Sequence, residues 1–599
     1  MFLRTFLLCI LVVCTSVFAR PATAAPQETV EAIMEEISRE RDNANTALFR
    51  RLAEIGSPAS LEALKKVPAM LSDQMKRDAA CAAFFEYAGL DELQPQAIAF
   101  LVSTTSAKQA GLRDAAAKGL GLFEELAEDE LAELAKKSKD DSVRAYVCKP
   151  LLAMWTARKY DAKLRILLDA SNVPQTGTHE ELVAYFEQWD RPVNTRKFCE
   201  GLESRKTSTR VKRVVIDVLM DRESDDIGKA LTTLLKDKNR LTQYRALVAL
   251  AARGETQHES LLKRLANSDD EAVRRMAIIS MAKINADDAG FVKKLEKYAR
   301  DRNPATRQGA IAALAELGTP EARLLIEGRL ADEDRLVRLE AVGRLVEMRQ
   351  KESLPALIPR VDLETGRLRD VLTKGLRLLT GIDQGTTSDR WMRWWEGEGA
   401  DFELPTLEDA IAAAEMRQEN KAKGGTVASF YGLDVASDRI AFVMDISGSM
   451  NEDQGRGTRM DAARAELVQS LEKYPAGAWF NLVFFSTEIT VWKEAMVKMD
   501  DFTRSSALDY VSRQDPGGAT AIYDALRRVF DDRDVDTIFL LTDGEPQGGT
   551  ENDPFRIREE VLRWNLTRGI EIHCVSIGSE SSLLRGLAED SGGNYREVR

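Results

Sequence analysis

Histidine is scarce in this sequence, with 3 among 599 residues. They stand at His179, His258 and His573, the first two in helical text and the third inside a strand-like apolar run. None falls in a ligand loop, which leaves no serine–histidine pairing for nucleophilic work. No GxSxG, HExxH or Walker loop appears either. Cysteine is sparse as well, with 6 in all. Cys9 and Cys14 sit in the first residues, while Cys81, Cys148, Cys199 and Cys574 are widely spaced. That excludes a disulfide framework and a zinc pattern; Cys81 and Cys574, in apolar runs, read as packed thiols. An excess of basic charge is also missing. The net charge is -13 and the pI about 5.2, which argues against a dedicated nucleic-acid binder. Beyond the N-terminus no apolar run is long enough to cross a bilayer.

What is present begins with an export signal over residues 1–24. Arg4 supplies the positive start, Phe6 to Phe18 an apolar run broken only by Thr15 and Ser16, and Ala22-Thr23-Ala24 a small-x-small cleavage site. Val17-Phe18-Ala19 is a second cleavage candidate. The run is shorter than the ~20 residues of a membrane span. The sequence therefore predicts an exported protein, periplasmic or secreted and of bacterial type, with no membrane span after cleavage.

From about Glu28 to Thr380 the text is helical and self-similar. LTQYRALVALAARG, AVRRMAIISMAKI, ATRQGAIAALAELG and LVRLEAVGRLVEM align on Ala246, Ala277, Ala310 and Ala341, spaced by 31, 33 and 31 residues. Val215 continues the column upstream, and Val147, Ala116, Ala79 and Leu48 extend it. Between Val147 and Val215 there is room for one further repeat whose register stays open. Apolar residues at i, i+3, i+4 and i+7, such as Ala310, Ala313, Leu314 and Leu317, predict amphipathic helices. Gly254 and Gly318 read as helix-end glycines. A lone helix pair cannot bury such a face, so neighbours must stack. Ser138, Asp237, Ser268, Asp301 and Asp332 form a column of helix-capping types, and Arg144, Arg274, Arg307 and Arg338 a second column. This combination resembles the HEAT repeat family. The resemblance implies an all-α solenoid over residues 25–380, with Asp and Arg columns tying neighbouring repeats and a concave face for a protein or peptide.

Near Thr380 the periodicity stops. Residues 381–436 read as a cap and linker. Trp391, Trp394 and Trp395 form one helical face, expected to cover the last repeat's core. Leu407 to Lys421 reads as one more helix, and Lys423-Gly424-Gly425 as a flexible joint that would leave the flanking parts separable by proteolysis.

From residue 437 to 599 strands and helices alternate. RIAFVMD from Arg439, WFNLVFFS from Trp479, DTIFLL from Asp536 and IEIHCVSI from Ile570 read as strands, with EITVWKE from Glu488 an antiparallel one and Tyr595 to Val598 a last short one. Helices fall at Arg459 to Tyr474, Ala521 to Phe530, Asp553 to Arg568 and Ser581 to Glu589. Such alternation predicts an α/β doubly wound sheet.

The first strand breaks into Asp445-Ile446-Ser447-Gly448-Ser449. A carboxylate and two hydroxyls there offer the hard oxygen that Mg²⁺ and Ca²⁺ prefer. Thr520 follows in PGGATAIYDAL and Asp543 in FLLTDGEP. These loops resemble the metal-ion-dependent adhesion site of a von Willebrand factor type A (vWA) domain, with its DxSxS motif, threonine loop and TDG turn in order. The one departure is Ala519, where many members have a second glycine. The resemblance implies a Rossmann-like domain over 437–599 with Asp445, Ser447, Ser449, Thr520 and Asp543 as metal ligands. It implies Mg²⁺ as the ion, with Mn²⁺ or Ca²⁺ as substitutes, and a partner's Asp or Glu completing the coordination. Asp524 and Glu545 read as solvated or helix-capping. The whole is thus expected to be a multidomain, non-enzymatic binding or scaffold protein. One alternative is a metal site filled from within by an acidic solenoid or linker residue, as a switch. Another is a metal-dependent hydrolase, which would want a second metal or a positioned base.

The small column generates a test. Ala277→Phe or Ala310→Phe is expected to overfill the contact between stacked helices, destabilising by about 1–3 kcal/mol. Thermal unfolding should move down for both; an unchanged midpoint at either would place the column on the surface.

Overall fold

The computed structural model describes residues 29–598 apart from 159–162, 173–177, 255–258, 287, 289, 422–428, 435–436, 454 and 456. The export signal, His258 and the Lys423-Gly424-Gly425 joint lie outside the described residues. The chain divides into two compact units between Gly177 and Thr178. No described helix is long and apolar enough to cross a membrane.

The first unit is built of helix pairs. Leu48, Ala116 and Val147 are fully buried, as the repeat register requires. Ala79 is half-buried, and its neighbour Ala80 takes the buried place. Arg113 reaches across to Asp140 of the following repeat at 2.7 Å.

The second unit has its own helical repeats, with helices α1 (Thr209–Leu219), α2 (Arg240–Ala252), α3 (Glu271–Ile284), α4 (Pro304–Leu317), α5 (Arg335–Met348) and α6 (Gly366–Thr380). Val215, Ala246, Ala277, Ala310 and Ala341 are all fully buried. Gly309 shows why small residues are needed there: a Cβ would meet Arg275 Cα at 3.2 Å. Gly318 ends α4 in the left-handed region at φ 63.

The column expected to cap the helices acts one step earlier. The N-caps are Asp140, Asn239, Asp270, Asn303 and Asp334, two residues further on. Ser138, Asp237, Ser268, Asp301 and Asp332 instead accept from the backbone N–H of those caps at 2.8–3.2 Å. A short polar side chain favours this i to i+2 turn, which aims the chain into the helix. Two of the four column arginines tie repeats together, while Arg144 pairs with Asp141 of its own helix. Arg307 reaches Asp332 of the next repeat at 2.6 Å, and Arg338 reaches Glu364 at 3.0 Å. Arg274 turns back to its own Ser268 carbonyl at 2.8 Å.

Two more helices, α7 (Ser388–Glu398) and α8 (Leu407–Lys421), close the array. Trp391 and Trp394 of α7 are buried, and Trp391 Nε1 donates to Gly385 O at 3.0 Å. α8 packs on α6.

The α/β domain is a sheet of β1 (Arg439–Asp445), β2 (Trp479–Phe485), β3 (Ile489–Val491), β4 (Val497–Lys498), β5 (Thr537–Thr542), β6 (Glu571–Ile577) and β7 (Tyr595–Val598). Its order is β3-β2-β1-β5-β6-β7, with β4 also on β2. The pairs β1–β2, β1–β5, β5–β6 and β6–β7 are parallel; β3 and β4 run antiparallel to β2. β1 is buried on both faces, which explains its unbroken apolar text. Ile440, Phe442 and Met444 join one core with helices α9 (Arg459–Lys473) and α10 (Asp501–Ser512). Ala441 and Val443 join the other with α11 (Ile522–Phe530), α12 (Pro554–Asn565) and α13 (Ser582–Ser591). The sequence did not announce α10 or β4, because DFTRSSALDYVS carries little apolar contrast and β4 is two residues long. The chain leaves β1 toward β2 on one side and returns to β5 on the other, making β1 the switch point.

A flexible joint suggests independent parts, yet the α/β domain is seated against the solenoid. Contacts follow the repeats in order. His179 stacks on Phe555, ring centroids 3.9 Å apart. Arg213 of α1 and Arg245 of α2 pair with Glu559 of α12, the second at 2.9 Å. Asp270, the N-cap of α3, pairs with Arg563, and Glu271 accepts from Thr567 Oγ1 at 2.9 Å. Gln308 of α4 donates to Thr567 O at 2.9 Å. Arg335 of α5 meets Asp536 at 3.0 Å, and Arg367 of α6 donates to Asp536 O at 2.9 Å.

These charges are largely withdrawn from water: Arg213 is 1% and Glu559 10% exposed. Breaking such a pair strands a buried charge. Glu559→Ala is therefore expected to destabilise by about 3–5 kcal/mol. Arg533→Ala, which removes a 43% exposed partner of Glu271, should change stability by under about 1 kcal/mol. Denaturant unfolding of the full chain separates the two.

Candidate metal centre

Three loops meet at the carboxyl end of β1 and β5, where ligands bind in open α/β sheets. Gly448 N donates to Gly518 O at 3.0 Å and Gly517 N to Ile446 O at 2.7 Å, fastening the first loop to the second. Gln547 N donates to Thr520 O at 3.1 Å, fastening the third to the second. A Cβ on Gly544 would lie 3.8 Å from Thr520 Oγ1, so this hydroxyl sits against the TDG turn.

Side chains within the cluster are linked directly. Ser447 N donates to Asp445 Oδ1 at 2.6 Å, and Thr542 Oγ1 donates to Asp445 Oδ2. Ser447 Oγ and Ser449 Oγ are 3.1 Å apart, and Ser449 Oγ donates to Asp543 Oδ1 at 2.8 Å. All four expected loop-one and loop-three residues thus share one network, and Thr520 stands beside it, its carbonyl held by Gln547 N. Asp445 is fully buried, and burial pushes its carboxyl up to about 6; hydrogen bonds from Thr542 and Ser447 oppose this, and nearby Asp543 adds to it. Two carboxylates and three hydroxyls on adjoining loops are the hard oxygen donors that suit a dication.

Sequence reasoning missed Arg459. Its Nη1 donates to Asp543 Oδ2 at 2.8 Å, and its Nη2 pairs with Glu452 at 2.8 Å. A weak signal existed: Arg459 opens α9 behind the N-cap Thr458, where a cation opposes the helix dipole. Asp524, half-buried, accepts from Thr550 N at 2.7 Å, holding the third loop. Glu545 is exposed.

The model of the von Willebrand factor type A domain matches residues 438–597, and that of HEAT repeats matches 195–282, 258–342 and 292–377. Residues 438–597 form a von Willebrand factor type A domain. Inter alpha-trypsin inhibitor heavy chain 4 of Mus musculus is 29% identical over 180 residues, 28% of this chain and 18% of that protein. The von Willebrand factor A domain-containing protein 3A of Homo sapiens is 27% identical over 169 residues, 27% of this chain and 13% of that protein. The match therefore spans under a fifth of either relative. A solved von Willebrand factor type A structure from Catenulispora acidiphila is 24% identical, covers 28% of this chain and 40% of that one, and has a TM-score of 0.25.

Raising the Asp445 pKa in the folded vWA domain penalises its ionised form. In chelator, stability from this group is full below pH 3.8, where both states carry the proton, and is lost as pH rises through about 6. Asp445→Asn is accordingly expected to raise the melting temperature of the metal-free protein at pH 8, by roughly 2–3 kcal/mol in stability, and to bring little gain at pH 4. An equal gain at both pH values would contradict a charge origin.

Proposed function

We propose that this is a non-enzymatic, exported interaction protein whose vWA domain takes an acidic side chain of a protein partner through a dication. The observation that carries the reading is the hydrogen-bonded cluster of Asp445, Ser447, Ser449 and Asp543 beside Thr520, at the switch point of the sheet. Mg²⁺ is the ion this donor set favours. When bound there it would supply an electrophilic place for a carboxylate. Asp445 and Asp543 would hold it by charge, and the three hydroxyls would add neutral oxygens that leave its charge under-compensated. The helical repeats would offer a second surface, for another protein or peptide, on the faces that the vWA domain does not cover.

Filling of the site from within finds less support. The hydrogen-bond partners of Asp445, Ser447, Ser449 and Asp543 come from the vWA domain itself. The solenoid acids Asp270, Glu271 and Asp334, which touch this domain, are engaged by Arg563, Thr567 and Arg533. Among the described residues no histidine is poised as a base for hydrolysis. His179 is stacked on Phe555 and bonded to Asp217 at 2.8 Å, and His573 lies inside β6, where burial pushes it down to about 4.

Calorimetric titration of Mg²⁺ into the full chain tests the proposal. Wild type should bind at millimolar concentration or below, and Asp445→Ala and Asp543→Ala should bind at least about tenfold more weakly, each having lost a charged ligand. A pull-down from the exported fraction should retain a partner with Mg²⁺ and release it with chelator. Equal Mg²⁺ binding by wild type and Asp445→Ala would end this reading.

A further inference from the structure

We infer that Arg459 sets the charge of the metal site, holding its affinity for the dication down so that a loaded site keeps a positive excess for an incoming carboxylate. This rests on the proposed adhesion-site function. The side chain of Asp543 is 0% exposed, and its two oxygens have different partners: Oδ1 accepts from Ser449 and Oδ2 from Arg459 at 2.8 Å. Arg459 is itself fixed. It is 19% exposed, its other terminal nitrogen pairs with Glu452, and its guanidinium packs on Gly578, where a Cβ would meet Nη2 at 2.9 Å. Gly578 has φ 85, which favours glycine and leaves the space open for the guanidinium.

The consequence is one of charge. Asp445 and Asp543 alone would give the cradle two negative charges, which a dication would neutralise. With Arg459 in contact the cradle carries one net negative charge, and a dication leaves one net positive. A neutralised site has little pull on a partner's carboxylate; a positive one has. Glu452 is 61% exposed and water-screened, so it offsets Arg459 only in part. Arginine suits this post because it stays protonated and can serve two carboxylates with its fork.

The experiment is titration of Mn²⁺ alone into the full chain and into Arg459→Gln, Arg459→Met and Arg459→Lys, with thermal unfolding in chelator as the folding control. Arg459→Met keeps an unbranched stem beside Gly578 should the Gln variant fail to fold. Removing the charge is expected to tighten Mn²⁺ binding about tenfold or more, and lysine to stay near wild type. The sign separates this from a structural role, since a damaged cradle would bind more weakly. If wild type binds Mn²⁺ and the Gln and Met variants bind equally or more weakly, the inference falls while the adhesion-site reading stands. If neither wild type nor any variant binds Mn²⁺, both fall.

Discussion

Everything in the second unit is arranged around the charged contacts between successive solenoid helices and one side of the vWA domain. A HEAT array offers each repeat's helix start to the same groove, so a ligand that fits must repeat its own complement at the same pitch. Helix α12 and the turns at Asp536 and Thr567 do this: Glu559 serves α1 and α2, Arg563 and Thr567 serve α3, Thr567 O serves α4, and Asp536 serves α5 and α6. The domain is held as a ligand would be, by its own chain.

That seating has a price in desolvation, which buried pairs recover only with good geometry and further hydrogen bonds. Asp536 illustrates the compensation. Burial pushes its carboxyl up, while Arg335, Ser437 and Arg367 favour the ionised form, and Ser437 Oγ and Thr537 Oγ1 both donate to Oδ1. It stands directly before β5, and Asp543 stands directly after it. One strand thus separates the carboxylate spent on the solenoid from the carboxylate of the three-loop cluster.

Much of this was legible in the sequence because it rests on periodicity and on short motifs. The column Val215, Ala246, Ala277, Ala310, Ala341 is a packing requirement, and packing leaves a period. The DxSxS stretch, the threonine loop and the TDG turn fix their own backbones, so their convergence follows once the sheet order does. The docking of the two parts was not legible. It depends on Arg213, Glu559, Asp270 and Arg563, charged residues hundreds of positions apart that in linear text look like any solvated helix face. Arg459 was hidden for the same reason: its role comes from the direction of one side chain, which spacing does not encode. The capping column was misplaced by two residues because Asp, Asn and Ser serve equally well in the turn before a cap and in the cap itself.

The most direct measurement on the central claim is anomalous diffraction from crystals of the full chain grown or soaked with Mn²⁺. The expected result is a manganese peak among the oxygens of Asp445, Ser447, Ser449, Thr520 and Asp543, with α12 still seated on the solenoid. A fully occupied peak elsewhere, or none at millimolar Mn²⁺ with the three loops accessible in the lattice, would contradict it.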